Sequence, residues 1–137
     1  NVFLQVGGYD EKVMFGENTE LSIRLKAIAP SRAFIGKLNY IHKPSPAGAS
    51  KNLKNLVASN LYVLNKHPQW FANREKSRRL YLQTTAVACY KLNRIQESKK
   101  YMIQAWLSSP FYFKGLARVI ISFLPFIARK KWKPEKW

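Results

Sequence analysis

The sequence predicts a mainly α-helical chain with one or two short strands near residues 33–42. Three observations predict it. From Lys51 onward, apolar residues recur every three to four positions in successive segments, the helical period. Residues 33–42, AFIGKLNYIH, instead alternate loosely, with Phe34, Ile35, Tyr40 and Ile41 as the apolar members. Pro30, the loop-like KPSPAGAS run and Pro68 stand at the ends of the periodic segments.

Taken in order, Asn1 to Val6 is short and apolar and ends in Gly7-Gly8. It opens in mid-pattern, which reads as the continuation of upstream sequence. The first helix is expected from about Asn18, with Leu21, Leu25 and Ile28 on one face. Asn18 or Thr19 is its natural N-cap, Glu20 and Arg24 form an i,i+4 pair, and Pro30 closes it. After the strand segment, Leu53, Leu56, Val57, Leu61 and Leu64 make one apolar helical face that ends at His67-Pro68. A second helix in this part is expected at about Phe71 to Leu92, a third from Ile95 to Leu107, and a fourth from Phe113 to Ala128, interrupted at Pro125. Within YKLNRIQESKKYMIQAWLSSP, residues Tyr90, Leu92, Ala105 and Pro110 fall where a tetratricopeptide repeat puts its packing residues and terminating proline. One such copy is visible, which suits a single helical hairpin using the same packing.

Charge divides the chain. Residues 1–50 carry six Lys/Arg and four Asp/Glu, a net of +2; residues 51–137 carry eighteen and three, a net of +15. Cys89 is the only cysteine, so an intrachain disulfide and a cysteine metal cluster are both excluded. No run of about twenty apolar residues is present to span a bilayer. No phosphate-binding glycine loop, Asp-x-Asp pair or nucleotide-binding βα unit occurs in the 137 residues. The carboxy-terminal FKGLARVIISFLPFIARKKWKPEKW combines apolar residues with a Lys/Arg cluster. It suits either a helix lying in a membrane interface, with Trp132 and Trp137 at the boundary, or a core helix with a basic tail. An anionic membrane surface is thus a candidate partner. Nucleic acid ranks behind it, because no nucleic-acid-binding motif accompanies the basic residues.

Four of the chain's seven acidic residues, Asp10, Glu11, Glu17 and Glu20, fall in VGGYDEKVMFGENTELSIRL. Acidic residues at a helix start have a purely structural use, stabilising the helix by a few tenths of a kcal/mol up to about 1. The order of the stretch points further. Gly7, Gly8, Tyr9, Asp10 and Glu11, then Glu17, then Glu20, Leu21, Arg24 and Leu25 resemble the acceptor-side segment of glycosyltransferase family two, on the α/β GT-A fold. His42, in YIHKPSP, stands where that family has a further histidine.

The resemblance implies that residues 1–50 are the C-terminal part of a GT-A catalytic domain. Residues 51–137 would then be a basic helical extension carrying the tetratricopeptide-like hairpin. It implies transfer of a sugar from a nucleotide-sugar donor to the hydroxyl of a glycan or lipid-linked acceptor, in cell-surface glycan synthesis. It also implies a divalent metal, Mg or Mn, in the full-length enzyme, with His42 as a candidate ligand. The setting implied is cytoplasmic, peripheral at the inner face of the plasma membrane. Gly8, Tyr9, Asp10 and Glu20 are the implied acceptor-binding residues, and Glu17 and Asn18 the catalytic pair. Where the family has the basic Asp, this chain has Asn18, whose amide accepts no proton at neutral pH. Three readings stay open: Glu17 or Glu20 acts as base from another angle, with Glu17 preferred; Asn18 orients the acceptor while another group takes the proton; or the protein is a weak or inactive relative. The alternative to the transferase is a basic helical interaction module binding membrane, nucleic acid or a protein.

Overall fold

The computed structural model describes residues 2–28 and 52–132. Among them the regular structure is helical, and no strand occurs. The strands expected near residues 33–42, together with His42, lie outside the described residues. The helices are α1 (Val2–Gln5), α2 (Glu17–Ile28), α3 (Leu53–Lys66), α4 (Pro68–Ala72), α5 (Glu75–Lys91), α6 (Ile95–Leu107), α7 (Phe113–Phe123) and α8 (Pro125–Lys131).

Local chemistry sets most of these boundaries. Asn52 caps α3, its side-chain oxygen accepting from the backbone N–H of Asn55 at 3.1 Å. Pro68 takes the first turn of α4, where a missing N–H costs nothing. Asn93 ends the α5 segment in the left-handed region, φ 60°. The N–H groups of Asn93 and Arg94 close back on the carbonyls of Tyr90 and Cys89, at 3.0 and 2.8 Å. This is the Schellman arrangement, and it turns the chain sharply from α5 into α6. Leu124, extended ahead of Pro125, separates α7 from α8.

Besides the last helix, which runs to Lys131 and not Ala128, two boundaries differ from the sequence expectation. The helix expected to start at Phe71 is two helices, α4 and α5. The Phe71 and Tyr81 rings meet edge to face with centroids 5.1 Å apart, whereas ten residues of unbroken helix rise about 15 Å. The chain bends at Asn73-Arg74 so that both rings reach the same cluster. At the other boundary, α2 begins at Glu17 and not after Asn18: the Gly16 carbonyl accepts from the N–H groups of Thr19 and Glu20, at 2.9 and 3.1 Å. Asn18 therefore lies inside the first turn, free of a capping role.

α5 is central, packing on α3, α4 and α6, and α7 packs in turn on α6 and α8. Three apolar clusters hold these contacts. Ala86, Tyr90 and Met102 of the α5–α6 hairpin enclose Ala128 and Trp132 from the carboxy-terminal end. Val57 meets Ala88 and Cys89. Val13 and Ile23 join Val63 and Phe71. That last cluster joins by packing the two parts that charge divides at residue 50.

Candidate functional site

One arginine ties the glycine turn to the start of α2. Gly7 and Gly8 hold φ +81° and +67°, values that side-chain-bearing residues avoid, and they turn the chain out of α1. That turn leaves the Val6 and Gly8 carbonyls pointing at α2. Arg24 meets both, donating Nη1 to Val6 O and Nη2 to Gly8 O, the latter at 2.7 Å. The same guanidinium donates Nε and Nη2 to the Glu20 carboxylate, at 2.6 to 3.0 Å. A planar fork of five donors can serve two carbonyls and a carboxylate together, which an ammonium on one stem cannot.

Glu20 is fully buried. Besides Arg24 it accepts from Lys66 Nζ at 2.8 Å and lies 2.9 Å from His67 Nε2, both from the end of the α3 segment. Lys66 also donates to Asp10 at 2.6 Å, and Asp10 takes further bonds from the Tyr62 hydroxyl and the Lys12 backbone N–H, each at 2.9 Å. The cluster is closed and charge-compensated. Burial pushes the Glu20 carboxyl up, but the hydrogen bonds from Arg24, Lys66 and His67 outweigh it and hold the group at about 2. For Asp10 the Lys66 and Lys12 bonds lead, and it too is held at about 2. Such carboxylates stay ionised at neutral pH and accept protons poorly.

The other half of the stretch faces outward. Tyr9, Glu11, Glu17 and Asn18 are exposed, and the Tyr9 hydroxyl donates to Asn18 Oδ1 at 2.8 Å. Phe3 supports the Tyr9 ring edge-on at a centroid distance of 5.6 Å. Glu17 opens α2, one residue from Asn18, with its carboxylate on solvent. Phe15 ties this surface to α3 by donating its N–H to Ser59 Oγ at 3.1 Å.

The structure thus divides the residues expected from the sequence into two sets. Tyr9 and Asn18 meet on an open surface, and Glu17, next to Asn18 in the chain, is exposed at the start of α2. Asp10 and Glu20 lie behind it in the ion cluster, and Gly8 joins the two through its carbonyl. Lys66, His67 and Tyr62 belong to the cluster, although the sequence pattern marks His67-Pro68 only as a helix stop. The available signal was the i,i+4 pair Tyr62 and Lys66 at the end of an apolar helix.

Among the described residues no group of three or more His, Cys, Asp or Glu side chains could hold a metal ion. Asp10 and Glu20 have the Lys66 ammonium between them. The divalent metal implied by the family resemblance does not fit there. No protein family, curated protein or solved structure matches the chain.

Proposed function

We infer that this chain is the acceptor side of a glycosyltransferase related to family two, on the GT-A fold, moving a sugar from a nucleotide-sugar donor to a glycan or lipid-linked hydroxyl. One observation carries the reading: Arg24 and Glu20 clamp the Gly7-Gly8 turn against α2, with Tyr9 bonded to Asn18 and Glu17 exposed at the first position of that helix.

In sugar transfer the acceptor oxygen attacks the anomeric carbon, its proton passes to a base, and the bond to the nucleotide diphosphate breaks. Glu17 is the base in this reading. Glu20, with its oxygens taken by Arg24, Lys66 and His67, serves the framework. Asn18, held by the Tyr9 hydroxyl, keeps its NH2 group for an acceptor oxygen. Donor and metal belong, by the resemblance, to residues other than those described.

The test is Glu17→Gln in the longest natural form of the protein, assayed for transfer from a nucleotide sugar. Size and hydrogen bonding survive but the base is gone. Turnover is expected to fall about a hundredfold or more, with donor binding little changed. Near-normal turnover in a folded Glu17→Gln protein would remove Glu17 from the mechanism.

A further inference from the structure

In a helix packed on a water-soluble fold, the apolar stripe turns inward. α7 is arranged the other way. Its buried residues are Gly115 and Ser122, with Val119 and Ile121 half-buried beside them. Its stripe of Phe113, Leu116, Ile120 and Phe123, spaced three, four and three residues apart, faces solvent. α8 extends the same surface. Ala128 and Trp132 are buried, Trp132 edge-on to Tyr90 at 5.5 Å, and this anchor holds Phe126 and Ile127 outward. Phe111, Phe113 and Phe126 are 90, 80 and 86 % exposed, far beyond what scattered surface hydrophobes amount to.

The charge around this surface selects its occupant. From Ser98 to Trp132 the sequence has seven Lys/Arg and not one Asp or Glu. Lys99 sits over the Phe123 ring, 4.9 Å from its centroid, and Arg129, Lys130 and Lys131 end α8, all three exposed. A second copy would bring like charge against like charge. Nucleic acid would satisfy the cations but leave Leu116, Ile120 and Ile127 in water. A bilayer with anionic headgroups satisfies both, taking the aliphatic and aromatic side chains at the acyl boundary and the cations at headgroup level.

We propose that the outward face of α7 and α8 docks on anionic lipid bilayers, lying in the interface. Among the described residues no helix is long and apolar enough to cross a membrane. The docking is therefore one-sided. It stands independently of the transferase reading, since none of its residues belongs to the Arg24–Glu20 cluster.

Flotation of the complete chain with phosphatidylcholine vesicles, with and without phosphatidylglycerol, tests the proposal. Binding is expected on the anionic vesicles, weakening as added salt screens the cations. Ile120→Ser combined with Phe126→Ser should weaken it about tenfold or more while the helical circular dichroism spectrum stays intact. Lys130→Glu combined with Lys131→Glu, an independent readout, should cost about tenfold or more on anionic vesicles. Unchanged binding by either pair would overturn the proposal, as would equal binding to phosphatidylcholine alone. So would tighter binding to nucleic acid than to vesicles at the same salt, or self-association through this face without vesicle binding.

Discussion

The two ends of the described chain solve opposite problems. At the amino-terminal end, carboxylates lie inside, at Glu20 and Asp10, and every oxygen of Glu20 meets a donor. At the carboxy-terminal end, phenylalanines and aliphatics lie outside, at Phe113, Ile120 and Phe126, and small residues take the inward positions. The difference shows what burial alone does not reveal. A buried charge marks a framework when its partners are complete. An exposed apolar stripe on a well-anchored helix marks a surface with work to do beyond the fold.

Breaking the inner charges should have the largest effect on stability. Glu20→Gln leaves Arg24 and His67 without their carboxylate and Lys66 with Asp10 alone. The expected loss is about 3 kcal/mol, the lower part of the range for a broken buried pair, because Lys66 is 30 % exposed and regains some water. Urea unfolding of the complete chain measures it. An unchanged midpoint would mean that the cluster is ornamental to the fold.

Acid should disturb the same cluster by protonating its carboxylates. Glu20 and Asp10 are held at about 2, below the ordinary 4.5 and 3.8. A carboxylate whose folded pKa lies below its unfolded value adds stability at pH above the unfolded value and loses it as pH falls through the folded one. Stability should therefore hold down to about pH 5 and drop toward pH 2, by on the order of 3 kcal/mol. Glu20→Gln should flatten much of that slope. An equal slope in the variant would place the acid sensitivity elsewhere.

The smallest effect is expected at the outer apolar surface. Phe126→Ser removes a side chain that is 86 % exposed, so unfolding free energy should move by no more than about 0.5 kcal/mol. A loss of about 2 kcal/mol or more would put Phe126 in the core, and the comparison between the two ends would fail.

How much of this was legible depends on the range of the interaction. Ile95–Leu107 matched its periodicity to the residue, and the break at Pro125 followed from the missing N–H of proline. The bend at Asn73-Arg74 was not legible, because its cause is the meeting of Phe71 with Tyr81 and no local breaker announces it. Within the site, the Glu20–Arg24 pair was readable at one helical turn's spacing. The link from Asp10 to Lys66 spans 56 positions and could not be read locally. That link separates inward carboxylates from outward ones, so the sequence named the acidic residues without sorting them. The inversion of α7 was hidden for a related reason: amphipathicity shows that a helix has two faces and leaves open which one meets the core.

The double duty of Lys66, bonded to Asp10 and Glu20 at once, sets an order on synthesis. A chain made from its amino terminus exposes the glycine turn and α2 to the ribosome exit long before Lys66 and His67 emerge. Until then Glu20 has Arg24 alone, and Ile23 of α2 has neither Val63 nor Phe71 to pack on. The α5–α6 hairpin, by contrast, joins neighbours in sequence and can form as it appears. The stretch with the most specific sequence is therefore the last of the two to become structured relative to its own birth, and a pause in translation just before residue 66 would leave it open to chaperones and proteases.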